Sequence, residues 1–180
     1  MATARPSSIA TITINRAPVM TLWAAVVAER LGFDRDAALT LGRAVAGLNA
    51  QTKGRRLGLF ESSEARHGAR APKPRAADQF ELLHRAVPTA RTSEGIRALE
   101  RGRPTDPKAV ERYLEGKFGD ALGPARRAMT TLASSYPPAV LAERAFELYE
   151  AFRPAIPAGQ KGWGAKGVLD LAKVRALAAR

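Results

Sequence analysis

Two neighbouring runs of apolar residues at helical spacing constrain this chain more than any other part of its sequence. Gly32 separates the runs, and glycine is the usual residue just past a helix C-terminus. Asp34 follows and is suited to cap a second helix. The pattern predicts two amphipathic helices, over residues 18–31 and 34–49, joined by a short turn. The apolar residues that recur three and four positions apart are Leu22, Trp23, Val26, Val27 and Leu31 in the first run, and Ala38, Leu41, Val45 and Leu48 in the second.

The rest of the chain predicts a mainly α protein with one small β element. Residues 56–61 and 79–87 are typical of short strands, and the stretch 62–78 between them has no apolar period, which predicts a mobile loop. A helix is expected over Ser93–Arg101. We therefore expect a flexible N-terminal arm over 1–17 (in which Thr11–Ile14 is suited to a short strand), a region over 18–103 that contains the two helices and the strands, and a helical region over 104–180.

The C-terminal half has clear helix signals. Asp106-Pro107 combines a capping residue with a proline at the first helical position. The next helix is expected to carry Leu122, Ala125, Met129 and Leu132. Residues 138–152 are expected to form the one after it, with the widest apolar surface of the chain around Phe146, Tyr149 and Phe152. Such a surface either packs on the N-terminal half or forms a homodimer. A last short helix is expected from Asp170 to about Ala178.

Charge is the strongest indication of function. The chain has 29 basic and 17 acidic residues, a net charge of +12, and no cysteine. A positive excess of this size is most common where the partner is a polyanion. The absence of cysteine excludes disulfides, thiolate-bound zinc and thiol catalysis. With no run long enough to span a bilayer, we expect no membrane association and a cytoplasmic protein, nucleoid-associated if bacterial.

Residues 24–43 resemble the helix-turn-helix of bacterial DNA-binding proteins, and the strand–loop–strand that follows, as far as residue 87, resembles a wing. The residues that carry the resemblance are Ala28, Leu31, Gly32, Phe33, Ala38 and Leu41. The resemblance implies that helix 34–49 binds the major groove of duplex DNA, with Arg35, Thr40 and Arg43 facing the bases. The alternative is an ordinary helical hairpin. Gly42 and Gly47 fit both, since glycine permits close approach of DNA or of another helix.

The wing would supply phosphate contacts, and the residues suited to this are Lys53, Arg55, Arg56, Arg66, Arg70, Lys73 and Arg75. In the C-terminal loop, Lys161, Trp163 and Lys166 are suited to a nucleic-acid backbone, with the tryptophan stacking on a base. Gly162-Trp-Gly-Ala-Lys-Gly167 matches a dinucleotide-binding pattern by letters, but no strand is predicted before it. The alternative is that Trp163 enters the core and the glycines only turn the chain.

No pattern of catalytic residues is recognisable, so we expect a binding protein rather than an enzyme, without cofactor or metal. His67 and His84 have no nearby serine or carboxylate at a familiar spacing. Two alternatives stay open: a module that docks an acidic protein partner through its basic face, and a metal-dependent DNA-processing enzyme. The latter requires distant acids such as Asp106, Glu111 and Asp120 to converge.

Overall fold

The computed structural model of the chain describes residues 9–56, 78–159 and 165–179. The strands in these ranges are Thr11–Asn15 (β1), Asp78–Leu82 (β2), Arg85–Thr92 (β3), Gly95–Glu100 (β4), Arg103–Pro104 (β5) and Lys166–Asp170 (β6). The helices are Arg16–Arg30 (α1), Arg35–Arg56 (α2), Pro107–Phe118 (α3), Leu122–Ser134 (α4), Pro138–Phe152 (α5) and Leu171–Ala176 (α6). One turn of 3₁₀ helix, Gly119–Ala121, links α3 to α4.

Helix α1 lies at the centre of the fold, and residues 18–28 are all buried. Its Trp23 ring packs edge-on against Phe152 of α5, with 5.3 Å between the centroids. The indole Nε1 donates to the Ala145 carbonyl oxygen at 2.8 Å, which satisfies a polar group that would otherwise be buried unpaired. Positions between the large residues of α1 are mostly small, such as Ala24, so neighbouring elements can approach it from several sides.

The predicted pair of helices is confirmed, and α2 packs closely on α1. The side chain of Asp34 caps α2 by accepting from the Ala37 amide at 2.8 Å. Gly42 is where the two helices come closest: a Cβ there would overlap the Thr21 carbonyl oxygen and lie 2.9 Å from the Ala25 amide nitrogen. Of the two interpretations of Gly42, close approach of another helix is therefore the one observed.

Helix α2 is longer than the sequence pattern indicates. The pattern predicts an end near Asn49, but the helix continues to Arg56. Arg56 is thus helical rather than the first residue of a strand, and residues 57–61 lie outside the described ranges. The apolar period stops before the helix does: after Leu48 the helix continues through Asn49, Ala50, Gln51 and Thr52, of which Gln51 is exposed.

The prediction of a mainly α fold with one small β element is wrong, because the described residues form two antiparallel sheets. In the larger sheet, β2, β3, β4 and β5 follow one another in sequence order. The segment expected to be one strand over 79–87 is a tight hairpin, with Leu83 and His84 at its turn. The helix expected over Ser93–Arg101 is also wrong: Ser93 and Glu94 form a turn, and β4 follows.

The second sheet joins the two ends of the described chain. Strand β1 pairs with β6, with Thr11 opposite Asp170 and Asn15 opposite Lys166. Part of the expected flexible arm is therefore a strand, which confirms the short strand suggested by Thr11–Ile14. The expected C-terminal helix is shorter than predicted: Asp170 ends β6 and caps α6 by accepting from the Ala172 amide at 2.9 Å.

The helices of the C-terminal half share one hydrophobic core with the N-terminal half. The Asp106 cap is confirmed, since its carboxylate accepts from the Lys108 amide at 3.0 Å. The apolar residues of α5 pack inward, which is one of the two roles expected for this helix; a homodimer through 138–152 stays a prediction. The core includes Leu22 of α1, Leu41 of α2, Val87 of β3, Leu132 of α4, Leu148 of α5 and Leu169 of β6. Across the described ranges, no helix combines the length and the apolar character that crossing a membrane requires.

Candidate functional site

The expected base-reading residues of α2 are engaged within the protein. Arg35 forms an ion pair with Glu111 of α3. Thr40 is fully buried: its hydroxyl donates to the Ala37 carbonyl at 2.8 Å and accepts from the Ala98 amide of β4 at 2.9 Å. The prediction that Thr40 faces a DNA groove is therefore wrong, because β4 covers it.

Arg43 is half-buried and lies over the ring of Tyr113, with 4.5 Å between its Cζ and the ring centroid. This cation–π contact ties α2 to α3. The three residues therefore do not form an open row along α2. Gly47, by contrast, is exposed, and a Cβ there would have no neighbour within 4 Å among the described residues.

Most of the other predicted contact residues lie outside what the structure describes. Arg66, Arg70, Lys73, Arg75, Lys161 and Trp163 do so entirely. Lys53, Arg55 and Arg56 belong to the last turns of α2, although their side chains are not described. The expected mobile loop over 62–78 is likewise outside these ranges, except that Asp78 opens β2.

Lys166 is exposed at the start of β6. Gly167, the last glycine of the dinucleotide-like pattern, lies in the same strand. A Cβ at Gly167 would come within 2.8 Å of the Ala155 carbonyl carbon. Close packing of β6 against the chain after α5 accounts for this glycine.

The acids considered for a metal site lie apart, at a helix cap, in an ion pair and at an exposed turn. Asp106 caps α3, Glu111 pairs with Arg35, and Asp120 is exposed in the 3₁₀ turn. Within the part of the chain that the structure describes, no three His, Cys, Asp or Glu side chains come together as metal ligands would.

A cavity of about 720 Å³ lies where four separate segments meet. They are the start of α1, the C-terminal part of α2, the β2–β3 turn and the end of α5. Because these segments are far apart in sequence, the cavity depends on the tertiary fold. Its charged and polar lining residues include Arg16, Asn49, His84, Arg85, Glu150 and Arg153.

Three arginines, each from a different segment, line this cavity, whereas Glu150 is the one acid among the described residues that line it. Arg16 is the first residue of α1, and its Nε donates to the Pro154 carbonyl oxygen at 3.0 Å. Arg85 donates from Nη2 to Asn49 Oδ1 at 3.1 Å. Its Nε is buried without a hydrogen-bond partner in the described residues. The exposed Arg153 follows α5.

The charge of Arg16 is partly desolvated and is repelled by that of Arg153. Burial lowers the pKa of the Arg16 guanidinium, and the charge of Arg153 lowers that pKa further. Burial also raises the pKa of the Tyr149 hydroxyl to about 12, although Arg16 and Arg153 oppose this rise. Tyr149 is therefore a neutral hydroxyl beside two cations at ordinary pH. A bound anion would relieve the repulsion between the guanidinium groups.

Aromatic rings line another part of the cavity. The ring centroid of the half-buried Phe146 lies 5.7 Å from that of His84 and 6.5 Å from that of Tyr149. His84 reaches this place through an unfavourable turn: Leu83 and His84 have φ angles of 49° and 60°, which non-glycine residues rarely adopt. Leu83 is buried and anchors the turn, so the chain keeps His84 and Arg85 at the cavity despite the strain.

Sequence reasoning missed this site. The sequence pattern places Phe146 and Tyr149 only on the apolar surface of their helix, and it places His84 and Arg85 within a single strand over 79–87. No local pattern connects Arg16, Arg85 and Arg153, since each comes from a different part of the chain. The hairpin turn at Leu83–His84 places His84 and Arg85 at the end of a sheet, but neither turn residue is of a type that indicates a turn in the sequence.

The folded arrangement brings together cations, aromatic rings and hydrogen-bonding groups around one open cavity. Family models, curated proteins and solved structures were all compared with this chain, and none of them matches it.

Proposed function

We propose that this protein binds nucleic acid, and that the arginines around the cavity contact the phosphate backbone. The observation that carries the proposal is the convergence of Arg16, Arg85 and Arg153, from three segments, on one open cavity. Guanidinium groups bind phosphate through charge-assisted hydrogen bonds in a planar fork, which suits this arrangement.

The surrounding sequence supports a polyanionic partner. The chain has a net charge of +12, and residues 53–77, which begin in the last turns of α2, contain seven basic and two acidic residues. Asn49, Ala50 and Thr52 line the cavity on the same helix. Cavity and basic segment are therefore adjacent along the chain. A cytoplasmic location, where nucleic acid is abundant, belongs to this proposal.

The mode of binding differs from insertion of α2 into a groove. Thr40 is buried under β4, Arg43 lies on Tyr113, and the exposed Arg35 is paired with Glu111, so these three residues do not offer a free row to a groove. Contacts to phosphates carry affinity but no sequence information. We therefore propose binding with little sequence preference, and duplex DNA is the first ligand to test.

The proposal is tested by fluorescence anisotropy of labelled DNA over a range of salt concentrations. Arg153→Ala and Arg85→Ala should each weaken binding and lower the slope of log K against log salt by about 1, as loss of one phosphate contact does. Arg112→Ala is the matched control, since this exposed arginine lies on α3 and does not line the cavity. Thermal melts establish that each variant is folded.

Two results would overturn the proposal. One is no binding by the folded protein at about 50 mM salt, where phosphate contacts are strong. The other is equal loss of affinity in Arg153→Ala and Arg112→Ala, which would mean that net charge rather than the cavity determines binding. Polyglutamate of matched charge is the competitor that would identify an acidic protein as the preferred partner.

A further inference from the structure

We propose that the cavity binds a single nucleotide, with its phosphate between Arg16 and Arg153 and its base against Phe146. The nucleotide is either free or an unpaired residue of a nucleic-acid strand. The strand-bound form rests on the function proposed above, whereas the free form does not.

The size of the cavity fits this ligand. Its volume of about 720 Å³ lies within the range of about 300 to 1,000 Å³ that is usual for small-molecule sites. Its lining comes from four segments, and a base that is stacked and paired inside a duplex must leave the stack before it can contact them. A free nucleotide can contact them, and so can a base that has left the stack, as in enzymes that bind a flipped nucleotide.

The phosphate would lie at the end formed by α1 and α5. Arg16 and Arg153 are close enough for their charges to repel, and the neutral hydroxyl of Tyr149 lies beside them. Arg16 and Ala17, in the first turn of α1, line the cavity, and this turn contains no acidic residue. The positive end of the helix dipole therefore adds to the two guanidinium charges.

The base would lie on the aromatic side. Phe146 is half-buried and contacts the His84 ring, which leaves part of its surface open to the cavity. Bases stack on such rings whatever their identity, because every base has a π-face. Asn49 and Arg85 also line the cavity, where their N–H groups can donate to a base edge.

The test is isothermal titration calorimetry with three separate probes: adenosine 5′-monophosphate, ribose 5-phosphate and adenosine. The monophosphate should bind about tenfold more tightly than either fragment, because it alone has both the charged group and the ring. Arg153→Gln should lower the affinity for the monophosphate and for ribose 5-phosphate alike, by about tenfold. Phe146→Leu keeps an apolar side chain but removes the ring. It should therefore lower the affinity for the monophosphate about fivefold and leave the affinity for ribose 5-phosphate unchanged. Arg112→Gln is the control and should change none of these affinities.

Each outcome decides a separate question. Equal binding of the monophosphate and ribose 5-phosphate, or a Phe146→Leu effect on both, would overturn the placement of the base. If labelled DNA binds but the monophosphate neither binds nor displaces an unpaired strand, the cavity proposal is overturned and the proposed function stands. If the monophosphate binds as expected and no nucleic acid does, the proposed function is overturned and the cavity is a site for free nucleotides.

Discussion

Tyr149 shows how a single residue responds to its position in this fold. Its ring, on α5, is buried and packs edge-on against Phe152, with 6.0 Å between the centroids. Its hydroxyl is close to Arg16 and Arg153, whose charges favour the ionised form, yet burial has the larger effect and raises the pKa to about 12. Desolvation therefore outweighs the attraction of two neighbouring cations.

This balance predicts a loss of stability at alkaline pH. The unfolded chain releases the Tyr149 proton near its ordinary pKa of about 10, whereas the folded chain holds it until about pH 12. The contribution of Tyr149 is complete below pH 10 and is lost as pH rises towards 12, by about 2 to 3 kcal/mol in the free energy of unfolding. Urea unfolding at a series of pH values measures the loss.

Tyr149→Phe is the control for that measurement, since it removes the ionisable group and keeps the ring. The variant should show a shallower decline between pH 10 and 12. Some decline should persist, because burial also raises the pKa of Tyr113. A wild-type curve that is flat over this interval, or as steep in the variant, would contradict the prediction.

At the scale of elements, the packing of α1 on α2 depends on the absence of a side chain at Gly42. The atoms nearest to a Cβ at this position belong to the backbone of α1, which cannot rotate away as a side chain can. Gly47 lies on the same helix, is exposed and has open space around it. The two glycines thus provide a matched pair for separating close packing from helix propensity.

Gly42→Ala should destabilise the protein by about 1 to 3 kcal/mol or more, because α1 must move away from α2. Gly47→Ala should stabilise it by up to about 1 kcal/mol, because alanine is the better helix former and meets no neighbour. Chemical denaturation of both variants measures the difference. Equal effects of the two substitutions would mean that the helices are not held together at Gly42.

Most of the helices could be predicted from the sequence, whereas most of the larger sheet could not. The signals of a helix lie in neighbouring residues, but this sheet depends on contacts between distant ones. The caps at Asp34 and Asp106 are set by neighbouring residues, so a short window reveals them. The β2–β3 turn has Leu83 and His84 where glycine or asparagine is usual, so the hairpin has no turn signal. Its stability comes from burial of Leu83 in the core, which only the folded chain provides.

The candidate site was hidden for a similar reason. Thr40 has the helical position of a surface residue, and only the approach of β4, with its Ala98 amide, makes it a buried link between helix and sheet. Arg16, Arg85 and Arg153 become neighbours only when α1, the β2–β3 turn and α5 pack together. Short stretches of sequence show the charge and the helical periodicity, but they do not show contacts between distant segments.

At the scale of the whole molecule, the net charge of +12 should give folding and binding opposite responses to salt. Repulsion among surface cations opposes the compact state, and salt screens it. The melting temperature should therefore rise between low and physiological salt, by about 2 to 4 °C if screening recovers about 1 kcal/mol. Affinity for DNA should fall over the same interval.

Differential scanning calorimetry and anisotropy on the same samples measure the two responses. The double variant Arg112→Gln and Lys117→Gln, at two exposed positions of α3, should show a smaller rise in melting temperature. The slope of log K against log salt for DNA binding should stay the same in this variant, since neither residue lines the cavity. A melting temperature that falls with added salt would mean that attractive ion pairs outweigh the net repulsion.

The pairing of β1 with β6 also determines when this protein can finish folding during its synthesis. Thr11 leaves the ribosome early, but its partner Asp170 is translated after every other strand and after five of the six described helices. Until then β1 has no partner, and the part of the core that Leu169, Leu171 and Val174 complete stays open. A nascent chain halted before Lys166 would therefore expose apolar surface and an unpaired strand edge, the features that chaperones recognise.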